Sequence, residues 1–567
     1  MRRTGPVLFA VLGLLALPAF ARADLYVQSG ANPGNTACTQ AAPCDTLAKA
    51  ETAAAAGDTV RIGAGTFSGS LYDTKRLNLV GAGSGAADAA PGPGDTVITG
   101  NLALADAGSV AGLRVEGAVL RLGSAATTGT RIVPVSDVVV RTTNVGLLVY
   151  DEVAGGTLRV EARRSAVVQT GASAFEAVSV PGPIDTGGDP AELLLDHTTV
   201  DAHNYGVAGL AATFDLVDSR VTTDDPGRAA VINGGGTTSL LRTQVLGPAL
   251  GVYESAAGTI RLRDSSVLIR NTPSVVGGSH GVLLPAGGGN AEIIGSTVYA
   301  AGAKVQSGVL APGVASLTIR NSVVRGTGTG GARDVIVSGG TFTLSHSAAS
   351  TLDRDGQLTP VTTADGNVPG DPGLVDPAGG NLRPTAGSPL IDRGDPAVPL
   401  AGELDLAGAG RALDGDGDCS AVPDIGAYEA AAVANPACSP APPAPPPAPP
   451  TAGATTPRDT TPPAVGAARV TTGGGTAGTA ATLTFDLGEP ATVEAVLERA
   501  AGGAAAARWR PVATLLKRRL GAGRQTIRVP RRVKGRRLAR GRYRIRLTVR
   551  DAAGNTTRRT LAFRLRR

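Results

Sequence analysis

LLLDHTTV (193–200), FDLVDSRV (214–221), TSLLRTQV (238–245), IRLRDSSV (260–267), AEIIGSTV (291–298), LTIRNSVV (317–324) and, fading, FTLSHSAA (342–349) are one phrase met seven times. Its ends fall 21, 24, 22, 31, 26 and 25 residues apart, the mark of a repeat array. Apolar residues alternate and then give way to a small polar pair, which reads as a short strand running into a corner. A second phrase lies between: Tyr205-Gly206-Val207, Leu250-Gly251-Val252, His280-Gly281-Val282 and Ser307-Gly308-Val309. One coil therefore carries at least two short strands and no helix. Such coils stack into a parallel β-helix, whose core is a column because each coil buries its apolar face only against its neighbours.

Working outward, residues 1–23 read as a signal peptide: Arg2 and Arg3, an apolar run from Val7 to Phe20, then Ala21-Arg22-Ala23. No later run is long and apolar enough to span a bilayer. Export permits disulfides. Four cysteines allow three pairings, and proximity favours Cys38–Cys44 and Cys419–Cys438, since the others would tie opposite ends of a column. The open end of a column needs a cover. The clearest helical stretch, 45–56, stands there, with Asp45 as the expected N-cap and Gly57 as the stop.

The run from Tyr26 through PCDTLAKAETAAAAGDTVRIGAGTF resembles the start of secreted bacterial right-handed β-helix proteins of the pectin-lyase-like superfamily. Gly387-Ser388-Pro389-Leu390-Ile391-Asp392-Arg393-Gly394-Asp395 resembles the opening of a choice-of-anchor Q segment. Asp405, Arg411 and Asp424-Ile425-Gly426-Ala427-Tyr428-Glu429 resemble its close. The resemblance implies an all-β, right-handed helix over 24–383, a terminal segment over 384–429, and a secreted or cell-surface location.

Residues 430–463 are rich in Ala and Pro and form a linker, extended where Pro dominates. Residues 464–567 alternate over six segments, the pattern of a small sandwich. The turn Asp551-Ala552-Ala553-Gly554-Asn555 resembles that of Ig-like and fibronectin-like modules. Charge divides the chain: 24 Lys plus Arg against 5 acids from Ala464 onward, and a balance of −13 before it. Arg542, Arg544 and Arg546 alternate with Tyr543, Ile545 and Leu547. They form one basic strand face, with Arg536 and Arg537 nearby, suited to an acidic polymer and not to specific nucleic-acid recognition. Only 5 of the 53 basic residues are Lys, so an arginine-biased composition explains the same runs more plainly.

Catalytic readings start at the corners. Coils lie about 4.8 Å apart, so equivalent positions one or two coils apart match the carboxyl spacing of glycoside hydrolases. The corner closing the phrase holds His197, Asp218, Arg242, Asp264, Gly295, Asn321 and His346. There a ladder with Arg242 between two carboxylates suffices. At the next corner Asp224, Asp225, Arg228 and Glu254 could serve a polysaccharide lyase, an Arg taking the proton α to a uronate and carboxylates holding calcium. Asp, Asn and Gly are also ordinary corner residues. Asp414-Gly-Asp416-Gly-Asp418, with Asp424, could turn oxygens onto calcium, although Cys419 and Ile425 fail the EF-hand pattern. The reading that gathers most of this is a non-catalytic exported rod that binds extracellular or envelope polysaccharide. The alternative is a lyase or hydrolase of the pectin-lyase-like superfamily.

Overall fold

The computed structural model describes residues 24–567 apart from 125–127, 152–154, 183–188, 271–274, 276–277, 330, 400–401, 436–437, 439–460, 473–478, 502–507, 534–535, 552 and 566–567. The expected signal peptide and most of the linker lie outside the described residues. The chain divides into two compact units, Met1–Pro443 and Ala444–Arg567.

The first unit is a right-handed parallel β-helix of three sheets with 13, 11 and 13 strands, here I, II and III. In one coil Glu192–Asp196 lies in sheet I, Thr199–Ala202 in sheet II and Val207–Leu210 in sheet III; Thr213–Val217 then re-enters sheet I. Three strands per coil satisfy the at least two read from the sequence and add a third. The repeated phrase spans a strand, a corner and the start of the next strand. Its last valine is therefore an inward residue of sheet II.

Register makes the core a set of side-chain columns. Val200, Val221, Val245, Val267, Val298 and Val324 stack in sheet II. Val207, Val231, Val252, Val282, Val309 and Val335 stack in sheet III. All twelve are buried. β-branched side chains pack well on a pleated surface and lose little rotamer freedom there.

Each I–II corner takes two residues. The first sits in the left-handed region: His197 at φ 51°, Asp218 at 49°, Arg242 at 46°, Asp264 at 49°, Gly295 at 55°, Asn321 at 48° and His346 at 44°. For a side-chain-bearing residue that costs about 1–2 kcal/mol. The second residue offsets it. Thr198, Ser219, Thr243, Ser265, Ser296, Ser322 and Ser347 are buried. The backbone N–H of one coil's residue donates to the hydroxyl of the next, as from Ser265 to Ser296 at 3.2 Å and from Ser296 to Ser322 at 3.1 Å. The same hydroxyls donate to their own strand's carbonyl, Ser296 to Ile294 at 2.8 Å. No corner donor is left dry, which is why the polar pair recurs.

A helix, Leu47–Ala53, covers the first coil with Leu47 and Ala50. Its N-cap is Thr46, not Asp45: the Thr46 hydroxyl accepts from the Lys49 N–H, while Asp45 pairs with the Lys49 ammonium at 2.7 Å. The disulfides are Cys38–Cys44 and Cys419–Cys438. After the last coils the chain turns back along sheet II and the I–II corner, where Arg270 donates to the Gly379 carbonyl, Arg320 pairs with Asp395 and the Ala427 N–H donates to Thr297. Leu390 and Ile425 pack on Val323 and Ala348 there. At Gly426, φ 115°, an added Cβ would lie 3.0 Å from Thr297 Oγ1 and 3.1 Å from Val323, so backbone strain and a tight approach together favour glycine.

The second unit is a seven-stranded sandwich. Val465–Thr472, Thr479–Leu487 and Gly523–Pro530 form one antiparallel sheet; Arg508–Leu520, Ala491–Ala501, Gly541–Arg550 and Thr556–Leu565 form the other. Leu483, Phe485, Val493, Leu497, Ile545 and Leu547 meet between them. The expected turn joins the last two strands, with the Asn555 N–H donating to Asp551 Oδ1 at 2.8 Å.

Candidate functional site

Between sheets II and III the turns differ from coil to coil and carry the sequence's catalytic candidates. His203 Nδ1 lies 2.7 Å from Asp224 Oδ2 on the next coil, and the His203 N–H donates to Gln169 Oε1 at 2.7 Å. A carboxylate at Nδ1 selects the tautomer protonated there. Beside this pair Arg228 donates to the Tyr205 hydroxyl at 3.1 Å and stands 5.0 Å over its ring. Asp225 accepts from the Gly227 N–H at 2.7 Å and so closes its own turn. Asp224, Asp225 and Arg228 thus come together on one open flank, with His203 and Tyr205 completing the group.

Glu254 does not join them. It is fully buried inside the column, and its Oε1 accepts from the Gly235 and Gly236 N–H groups at 3.0 and 3.1 Å. Burial pushes its carboxyl up to about 8. A group sealed among apolar columns cannot touch a polysaccharide, so its part is to hold a turn. The corner reading missed it because Glu254 lies within the sheet III strand Leu250–Ala256, where alternation turns it inward after outward Tyr253.

The I–II corner is divided by the returning segment. Arg242 grips Asp218 with two bonds, 2.6 and 2.7 Å. Asp264 instead faces Arg411 of the returning segment, 3.2 Å away, and Arg411 pairs on its other side with Glu429 at 2.8 Å. All three are at most 4 % exposed. Burial raises both carboxyls, each to about 8, with Glu403 adding to the rise at Asp264 and Asp424 at Glu429, while Arg411 opposes it at both. Gly295 makes the room: a Cβ there would lie 2.6 Å from Arg411 Nη2. Asp424 belongs to this buried set, accepting from the Asp392 and Ala430 N–H groups at 2.8 and 2.5 Å.

The acidic loop therefore gathers differently from its spacing. Asp414 and Asp416 share a cluster with Asp392, their carboxylate oxygens within 4.8 Å of one another. Asp392 Oδ2 accepts from the Gly415 and Asp416 N–H groups, while its Oδ1 is shielded and has no hydrogen-bond partner. Asp418 is turned to the Ser420 N–H at 2.7 Å. Three carboxylates and loop carbonyls are the donor set a hard cation takes. A second group, Asp196, His197 and Asp218, meets the same distance test, but its carboxylates already hold Arg163 and Arg242.

In the sandwich, Arg542, Arg544 and Arg546 share the outer face of the four-stranded sheet. Tyr543, Ile545 and Leu547 point into the core. Register adds Arg564 beside Arg542, Arg558 beside Thr548 and Arg519 beside Thr492. Glu498 holds Arg544 at 2.6 Å and Arg546 at 3.4 Å, and Arg544 lies 4.5 Å over the Trp509 ring. Arg536 and Arg537 stand apart from that sheet in a short ladder with Arg532–Val533.

No protein-family model matches the chain, and no curated protein matches it. Among solved structures it is similar to pectate lyase Pel9A, at 14 % identity and a TM-score of 0.31, over 73 % of this chain and 98 % of that one. A likeness at that level is one of fold alone. Among the described residues, no helix is long and apolar enough to cross a membrane.

Proposed function

We propose that the protein is an exported, non-catalytic β-helical rod that holds acidic polysaccharide or a related polyanion of the cell exterior, its sandwich supplying the grip. The observation that carries this reading is the basic sheet face, where Arg519, Arg542, Arg544, Arg546, Arg550, Arg558 and Arg564 stand on one side with Lys517, and Glu494 and Glu498 are its acids. Partly compensated arginines keep their geometry while leaving net positive potential, which suits a screened, weakly selective polymer contact. The two disulfides support export, since such bonds persist in oxidising compartments.

Trp509 is the only tryptophan of the chain, so its fluorescence reports on Arg544 directly. Polygalacturonate titrated into the full chain at low salt should change that signal and be released near ~0.5 M salt, where charges are screened over only a few ångströms. Arg542→Glu with Arg546→Glu should abolish the change. Binding indifferent to salt, or none at low salt, would retire the reading.

The His203–Asp224 pair beside Arg228 supports a second reading, a polysaccharide lyase or hydrolase working on that flank. Release of unsaturated uronate that is lost in Asp224→Ala and Arg228→Ala would establish it in place of the first.

A further inference from the structure

The column's two ends are finished differently. Sheet I begins with Asp24–Val27, and the disulfide-closed loop lies along the open edge of that strand. There the Tyr26 N–H donates to the Cys38 carbonyl at 2.7 Å, and the Tyr26 carbonyl accepts from the Cys44 N–H at 2.9 Å. At the last coil two of the three sheets are closed as well. Sheet III ends in the antiparallel strand Gln357–Pro360, exposed throughout and stopped by a proline. Sheet II ends at Val368, bridged to Ala348. Sheet I ends on Thr341–Ser345, which pairs on one side only.

Register shows which groups are left over. The Thr341 N–H donates to the Ala315 carbonyl at 3.0 Å, and the Ser345 carbonyl accepts from the Asn321 N–H at 3.3 Å. Odd-numbered residues thus face the preceding strand, and Phe342 and Leu344 turn their main chain to the open side. The Leu344 carbonyl accepts from the Asn367 side chain at 3.1 Å. Among the described residues, nothing pairs with the two N–H groups or with the Phe342 carbonyl. The strand, TFTLS, carries no charge and no proline, the usual protections of an edge. Beside it, where a further strand would lie, is an open cleft of about 460 Å³, lined by Phe342 to His346 with Arg320, Asp365 and Asp395.

We infer that this edge takes an extended segment of another protein as an added strand, bound through its main chain and running parallel as a further coil would. The surroundings select that occupant. Gln357–Pro360 fills the next coil's place beside sheet III. Asp365 to Val368 fill it at the I–II corner and sheet II, held by bonds from the His346 N–H to the Asp365 carbonyl at 2.8 Å and from the Val368 N–H to the Ser347 carbonyl at 3.0 Å. These pieces overhang the edge on both sides. The end of a second column meets them first, whereas a single strand lies between them. The Pro-rich linker lacks the N–H groups such a strand needs. Side chains follow from register. The second and fourth residues of the added strand continue the apolar columns that end at Phe342 and Leu344. At the corner Arg320 is taken by Asp395 at 2.7 Å, which leaves Asp365 to a basic fifth residue.

The chain's own Ser316–Arg320, SLTIR, has that pattern and serves as the probe, capped at both ends and carrying a fluorophore. With the full chain it should bind saturably, and hydrogen exchange at the Phe342 and Leu344 amides should slow while Thr343, already paired, stays slow throughout. The added strand pairs through the N–H groups of its third and fifth residues. Methylating those two nitrogens should weaken binding at least about tenfold, and methylating the second and fourth no more than about twofold. Asp365→Arg should weaken binding of SLTIR about fivefold and strengthen that of SLTIE to a similar degree. Phe342 and Leu344 amides that exchange slowly in the free chain would mean that the chain covers its own edge, and would overturn the inference. So would equal effects of the two methylations, which report recognition of side chains alone, or the absence of saturable binding.

Discussion

Between sheets I and II the chain turns in two residues on coil after coil. Between sheets II and III it takes two residues after Gly247, four after Ala202 and eight after Arg270. The first connection is set by backbone chemistry: a left-handed residue, then a hydroxyl that satisfies the neighbouring coil's N–H. Its second residue cannot lose its hydroxyl without stranding a buried donor. The second has no such duty, so its side chains vary, and His203, Asp224, Asp225 and Arg228 gather there. Uniformity marks what holds the column together, and irregularity marks where it can bind.

The strongest challenge to that division is at Arg411, where the uniform corner receives the returning segment. Arg411→Ala should cost about 3–5 kcal/mol, because Asp264 and Glu429 are left buried without a counter-charge. Thermal unfolding of the first unit measures it, and a loss under about 1 kcal/mol would mean the segment is held elsewhere. Calcium probes the same segment. At a hundredfold excess over its dissociation constant, a bound ion should stabilise by about 2.7 kcal/mol, with the rise in Tm absent from Asp392→Ala, Asp416→Ala. An equal shift in that variant removes the cation from Asp392, Asp414 and Asp416.

Sharpening the comparison needs one substitution on each side. Ser322→Ala at the corner should cost about 1–3 kcal/mol by leaving the Ser296 N–H unsatisfied, whereas Asp225→Ala at the exposed turn should stay within about 0.5 kcal/mol. Equal costs would erase the distinction. A further effect concerns pH. Glu254 is raised by burial from its usual value near 4.5 to about 8. Its contribution to stability is complete below pH 4.5 and is lost as pH rises through 8. Tm should therefore fall from pH 5 to 9, and Glu254→Gln should flatten the fall without removing it, since Asp264 and Glu429 titrate in the same sense.

Much of this architecture is legible in the sequence, because the interactions that build it repeat. The alternation, the polar pair and the seven corner positions are local, and each recurs until chance is excluded. The sandwich strands from 481 to 565 were legible for the same reason, polar and apolar residues alternating between turns. What escaped is made by chain segments far apart. Arg411 meets Asp264 across nearly 150 residues, and Asp392 reaches Asp414 and Asp416 from another loop. Spacing alone offered Asp418 and Asp424 in its place. Glu254 was misread because it was placed at a corner, whereas it stands inside the strand Leu250–Ala256, two residues after inward Val252 and so inward itself.

Gly295 has a consequence for how the molecule is assembled. It is the one corner without a side chain between Asp264 and Asn321, and Arg411 passes through the space so left. Were the returning segment displaced by one coil in either direction, the guanidinium would run into the side chain of Asp264 or Asn321. The gap therefore acts as a keyway. The last-made part of the β-helical unit can lock only onto coils already stacked in the right order, and a column with a skipped or misplaced turn would be left unlatched and open to proteolysis.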